Sequence, residues 1–314
     1  MRNRPSSFPE AAGALVGLLC LVAPSRALAQ ACCAGGSVIT PARLALHEDA
    51  LVGLQAKAGE VLGTYDPQGH YISQLGGDSE VDLEEDLFGA VRVFGRGQVA
   101  VLVPLVQTRR TTPTEQQLGG GVGDFNVSAR YDFLDAGESR YLPGIALLAG
   151  VTVPTGRPPE DATPPLAADA TGIGAFQFNG ALAFERSFGP WLANLTGIVA
   201  ARTAHDGETL APQVTVLAAG AYVFANDSAV TLSVSYAAEG TATCSSPSGP
   251  CPANSNAAPD SAKAATTITL SLVWPLGDEW RVHGGVYVTP PIDGLSYNQP
   301  SLLGVTFTLV RSWS

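Results

Sequence analysis

The sequence has 314 residues, 46% hydrophobic and only 14% charged, with 35 Gly and 23 Pro. So apolar a chain is not disordered, and so many helix breakers exclude a long helical bundle. Val, Ala, Phe and Tyr set among Thr and Ser point instead to β structure with many turns, and a formal net charge of −11 argues against a nucleic-acid partner.

Residues 1–29 read as a secretory signal peptide. Arg2 and Arg4 give a positive start, 11–23 an apolar run, and Ala27-Leu28-Ala29 a small-residue cleavage site. The apolar run has 13 residues, whereas a membrane helix needs about 20, and no other stretch qualifies. Export through the Sec pathway is therefore expected. The leader carries Arg2, Arg4 and Arg26 against one Glu10, so the exported part is more acidic still. Residues 30–48 form a short N-terminal segment, expected in the periplasm or as a plug. They include Cys32-Cys33, read as an oxidised pair or an undefined tail rather than a metal site. Cys244 and Cys251 enclose six residues without strand pattern, which suits a local disulfide in an exported protein.

From Asp49 onward, short segments alternate apolar and polar residues, and no 3.6 period is sustained. In 124–133, Phe125, Val127, Ala129, Tyr131 and Phe133 share one face, while Asp124, Asn126, Ser128, Arg130 and Asp132 share the other. Twelve strands are predicted, at 49–65, 85–95, 98–110, 122–134, 144–155, 174–187, 190–203, 212–225, 229–241, 264–276, 279–289 and 300–313. Their connections alternate between tight turns, such as Gly95-Arg96-Gly97 and Asn226-Asp227, and the long loops 66–84, 111–121, 156–173, 204–211, 242–263 and 290–299. One connection that should be short, 135–143, is not. Short turns at one end and long loops at the other define a transmembrane antiparallel β-barrel, with short periplasmic turns and long extracellular loops. A sandwich has no reason to alternate so regularly. Most segments reach the roughly 9 to 11 residues that a tilted crossing takes. Aromatics beside the short turns suit an interfacial girdle, and the alternation from Val305 to Trp313 suits the terminal strand read by the barrel-assembly machinery.

Three stretches, Gly121-Val122-Gly123-Asp124-Phe125, Val151-Thr152-Val153-Pro154-Thr155-Gly156 and Thr171-Gly172-Ile173-Gly174, occur in the order seen in the outer-membrane family named for the meta-pathway of phenol degradation. The chain resembles that family over roughly 85–310. The family in turn is similar to the long-chain fatty-acid transporters of the outer membrane, and the resemblance implies passage of small hydrophobic or aromatic solutes. This chain departs from the larger transporters in having about twelve strands and a short N-terminal segment.

With polar faces inward, the candidate lumen-lining residues are Lys57, Arg92, Asp124, Asn126, Ser128, Arg130, Asp132, Gln177, Asn179, Glu185, Asn194, Arg202, Arg281 and His283. Both signs are present, which suits a narrow, selective or plugged lumen whose charges pair internally. Asp78, Glu80, Asp82, Glu84, Glu85 and Asp86 crowd a stretch read as a loop, and solvated surface charge is the reading taken for them. Lipid, lipopolysaccharide and the assembly machinery are the expected partners besides the solute. No cofactor or metal is called for. An outer-membrane hydrolase is disfavoured, because only His47, His70, His205 and His283 are available and no Gly-x-Ser-x-Gly or His-Glu-x-x-His occurs. A structural or adhesive barrel without transport is the alternative.

Overall fold

The computed structural model describes residues 42–74, 76–205, 208–244 and 262–314. Cys32, Cys33 and Cys251, and with them the expected Cys244–Cys251 pairing, lie outside this range, as does the leader.

Twelve strands form the wall: β1 (Ala50–Tyr65), β2 (Ser79–Val93), β3 (Gly97–Thr111), β4 in two pieces (Gln116–Val122 and Phe125–Leu134), β5 (Gly144–Val153), β6 (Gln177–Phe188), β7 (Trp191–Arg202), β8 (Gln213–Val223), β9 (Ala229–Glu239), β10 (Lys263–Leu276), β11 (Trp280–Val288) and β12 (Pro300–Trp313). Each pairs antiparallel with the next, and β12 returns to β1 from Ala50 opposite Trp313 to Thr64 opposite Pro300. The sheet is a closed twelve-stranded antiparallel barrel. Closure leaves no unpaired edge, which is what a wall in hydrocarbon needs. No described helix is long and apolar enough to cross a membrane, and the described residues hold only a 3-10 turn, Pro159–Asp161.

Alternation sorts the side chains between two faces. Along β1 the buried residues Leu51, Gly53 and Gln55 alternate with exposed Val52 and Leu54. The outer face is a belt of Val, Leu and Phe, including Leu182, Leu195, Leu232, Leu270, Val305 and Phe307, each at least two-fifths exposed. Lipid is the medium that would cover so large an apolar surface. Aromatic pairs sit near the short turns: Tyr131 with Phe133 and Trp191 with Tyr222, both edge to face with centroids 5.0 and 4.9 Å apart.

Parts of two predicted loops, 66–84 and 111–121, are strand instead. The acidic run begins β2, because Val81, Leu83, Glu85 and Leu87 form its outer face while Glu80, Asp82, Glu84 and Asp86 turn inward. The charge density concealed a valid period of two. Most of 111–121 is the first piece of β4, joined to β3 by the tight turn 112–115. Its triple glycine, read as loop, is needed for packing: a Cβ on Gly119 would collide with the backbone of Ala168 and Asp169.

Between the pieces of β4 the ladder with β3 is interrupted. Leu105 pairs with Val122 and Leu102 with Asn126, so the register shifts by one at Gly123-Asp124. Pro104, which has no amide proton, lies opposite the break and accepts a hydrogen bond from Gly123 N at 2.8 Å.

Candidate functional site

The site is the barrel interior, most clearly ordered at its periplasmic end. There residues 42–48 turn into the lumen before β1 begins. Leu44 is 5% exposed and packs with Leu51, Phe88, Ala90, Ala100, Leu102 and Val310. Burial of a Leu in such a cluster is worth about 2 kcal/mol, and polar latches hold it in register. Gln98 accepts from Leu44 N at 3.0 Å and donates to Ala42 O at 2.9 Å. Glu48 accepts from Ala45 N at 2.7 Å and pairs with Arg281 at 2.6 Å. Arg92 donates to the carbonyl oxygens of Glu48, at 2.8 Å, and of Ala45. Burial works to raise the Glu48 pKa, but the Ala45 amide and the Arg281 charge outweigh it, so the carboxyl stays below its ordinary 4.5.

Charged networks stand on the barrel wall. In one, Arg130 lies 2.7 Å from Asp132 and 3.1 Å from Glu185, while Arg43 of the N-terminal segment also pairs with Glu185 and Asn194 donates to it at 3.2 Å. In another, Lys57 bridges Asp86 at 2.8 Å and Glu84 at 3.1 Å, beside a Gln55–Thr308 hydrogen bond of 3.0 Å. In a third, Arg202 meets Glu239 at 2.7 Å and Gln177 at 2.8 Å, and Gln177 donates to Asn179. Within each network the charges nearly balance, as those of ionised groups away from bulk water must. The hydroxyls of Thr215, Thr231 and Thr306, Asn179 Nδ2 and His283 Nε2 are buried without a hydrogen-bond partner among the described residues. Groups of this kind call for water or a polar solute.

At the extracellular end, loop 156–173 folds against the inner face of β3 and β4. Arg110 pairs with Glu80 at 3.0 Å and donates to Leu166 O at 2.6 Å, and Gln117 donates to Thr163 O at 3.1 Å. Asp124 is the anchor. Its carboxylate accepts from Gly156 N at 2.9 Å and Ile173 N at 2.8 Å, while Thr155 Oγ1 donates to Gly123 O and Thr171 Oγ1 to Val122 O. The three glycine-containing stretches singled out in the sequence thus converge at the break in β4. Within the loop, Asp169 accepts from Thr163 N and Oγ1 and pairs with Arg157, which holds its carboxyl down at about 2.

Of the fourteen sequence candidates, Asp124 lies in the break as a loop anchor, and the other thirteen stand on the inward-facing positions of their strands. Arg92 and Arg281 hold Ala45 and Glu48, and Asn126 donates to Thr152 at 2.9 Å. Sequence reasoning missed Arg43, Glu48, Gln55, Asp86, Gln98 and Arg110. The signal was there for Gln55 and Gln98, each a polar residue between apolar or glycine neighbours inside a strand; Asp86 follows Glu85 and Arg110 follows Arg109, which blurs the alternation. His70 and His205 sit in extracellular loops beside Asp66 and Glu160, at 3.1 and 2.9 Å, and no described group of His, Cys, Asp and Glu is arranged to hold a metal.

A closed twelve-stranded antiparallel barrel with an apolar outer belt and a polar inner face is the architecture of outer-membrane barrels. The structure is similar to the COG4313 outer membrane channel from Pseudomonas putida F1, with a TM-score of 0.68 at 14% identity, over 85% of this chain and 98% of that one. It also aligns with the KdgM porin, at TM-score 0.47 and 8% identity over 83% and 99% of the chains. The TodX deltaS2S3 mutant monoaromatic hydrocarbon channel aligns at TM-score 0.43 and 10% identity, over 84% and 90%. No known family profile matches the sequence, and no curated protein does. The fold is that of an outer-membrane barrel.

Proposed function

We propose that the chain is a passive outer-membrane channel for small apolar or aromatic molecules, closed at rest by residues 42–48. The observation that carries this reading is the contrast between the lumen and its exit. The lumen keeps unpartnered hydroxyls, an amide and an imidazole, which a core packed shut for structural purposes would avoid. The periplasmic exit is closed by seven residues held through reversible ion pairs and hydrogen bonds. When they withdraw, a solute meets the collar of Leu51, Phe88, Leu102 and Val310. An apolar constriction disfavours ions and sugars and tolerates apolar solutes. The resemblance of the three glycine stretches to the phenol-pathway family supports the same solute class. Sec export on the leader, insertion by the assembly machinery and contact with lipopolysaccharide belong to this reading, as does the 244–251 disulfide.

The test is flux into proteoliposomes. The full chain should admit a small aromatic solute and exclude arabinose, and deletion of 42–48 should accelerate the aromatic flux. If neither protein passes either solute, the barrel is structural or adhesive and the channel reading falls.

A further inference from the structure

The one overlong periplasmic connection, 135–143, carries a surface that the channel reading leaves unused. Arg186 stands on the outer face of β6 beside buried Glu185, which points inward. Its guanidinium donates to the carbonyl oxygens of Tyr141 and Arg140, each at 3.1 Å, and lies 5.2 Å from the Phe188 ring centroid. Arg140 is exposed and lies 6.0 Å from the Tyr141 ring. The two arginines are therefore neighbours on the outside of the wall, and no described carboxylate bonds either of them. Other arginines of this end are neutralised: Arg96 by Glu138, Arg281 by Glu48 and Arg311 by Glu279. Around the uncompensated pair, Tyr141 is 80% exposed, Leu142 57% and Phe188 55%. A double positive charge ringed by exposed aromatic and aliphatic side chains, at the level where the barrel leaves the membrane, is complementary to a phosphate with acyl chains attached.

We infer that this rim is a binding site for an anionic phospholipid of the inner leaflet. The phosphate lies between Arg140 and Arg186, and the first acyl carbons lie against Tyr141, Leu142 and Phe188. Arginine suits this role because part of its fork remains free to donate to phosphate oxygens after two N–H groups have been committed to backbone carbonyls. Aromatic rings at the same level favour the interface over either bulk phase. The loop is longer than a turn requires because it must carry Arg140 out to Arg186.

The test is native mass spectrometry of the full chain in detergent with equimolar dioleoyl phosphatidylglycerol and dioleoyl phosphatidylcholine. The unmodified protein should retain one phosphatidylglycerol in preference to phosphatidylcholine. Arg140→Gln, an exposed change that leaves the wall intact, should weaken that preference about fivefold, and Arg140→Gln with Arg186→Gln about twenty-fivefold. Arg311→Gln should leave it unchanged. Equal retention of the two lipids by the unmodified protein overturns the site, and so does an equal loss with Arg311→Gln, which would mark general charge attraction. Unheated and boiled gel mobility of each variant confirms that the barrel compared is folded.

Discussion

Glu48 is the residue on which the plug most depends, and its replacement by Ala tests the closed exit directly. The substitution removes the acceptor of the Ala45 amide and the partner of Arg281, and Glu48 itself is 2% exposed. Breaking a buried ion pair costs roughly 3 to 5 kcal/mol. The Arg281 side chain is 20% exposed, so water recovers part of that and about 3 kcal/mol is the working figure. If residues 42–48 withdraw as a unit, the open population should rise about a hundredfold. Glu48→Gln keeps the amide contact and loses only the charge, so about tenfold is expected. The readout is the rate at which a membrane-impermeant maleimide modifies Leu44→Cys, in a background where the native cysteines are Ser. When the segment recloses faster than it is labelled, the rate follows the open population. The same assay carries a pH dependence. Because the folded carboxyl is held below its ordinary 4.5, its contribution is complete above that pH and is lost as pH falls through the folded value. Expressed relative to a free thiol at the same pH, which cancels the loss of thiolate in acid, labelling should therefore accelerate as pH falls with Glu48 present and be flat over the same interval in Glu48→Ala. Equal labelling rates in all three proteins at neutral pH would refute the latch.

Lys57→Met strands Asp86, whose side chain is 1% exposed, and should lower the temperature at which the compact gel band is lost by an amount corresponding to about 3 to 5 kcal/mol; Asp86→Asn added to it should recover most of the loss. Asp124→Ala removes an acceptor shared by two backbone amides, at about 1 to 3 kcal/mol for each donor left unsatisfied. External chymotrypsin should then cut after Leu166, and Gly172→Ala, whose Cβ would collide with Asp124 Oδ1, should expose the same bond. With Asp169 held at about 2 against an ordinary 3.8, its share of loop order is intact above about 4 and lost as pH falls towards 2, so loop 156–173 should stay protected from an acid-tolerant protease until that interval.

The strands were legible because a lipid-facing wall imposes a strict period of two, and only a few apolar residue types satisfy its outer side. The exceptions have local causes. Val81, Leu83 and Leu87 carry the period through 78–86, but the carboxylates between them read as surface charge because their partners, Lys57 and Arg110, lie on the neighbouring strands β1 and β3. Gly119-Gly120-Gly121 read as loop because glycine reports a close approach without saying to what; the approaching backbone, at Ala168 and Asp169, lies almost fifty residues on. The inward turn of residues 42–48 was legible only as a possibility. Ala42, Arg43 and Leu44 have no periodic neighbours to mark which way they face, and the groups that draw them inward, Gln98 and Glu185, stand on different strands.

The break in β4 shows why a face assigned from alternation holds only between interruptions. Before the break the odd positions Gln117, Gly119 and Gly121 turn inward, and after it the even positions Asn126, Ser128 and Arg130 do. Asp124 has the parity of the second set yet spends its carboxylate on the amides of Gly156 and Ile173. Gly123-Asp124 therefore does two jobs at once: it shifts the register of the wall and docks the loop that packs inside it. A single-residue insertion that merely bent the strand would need no acid there. The carboxylate ties the shift to the loop, so a variant that restores a continuous ladder should also release the loop.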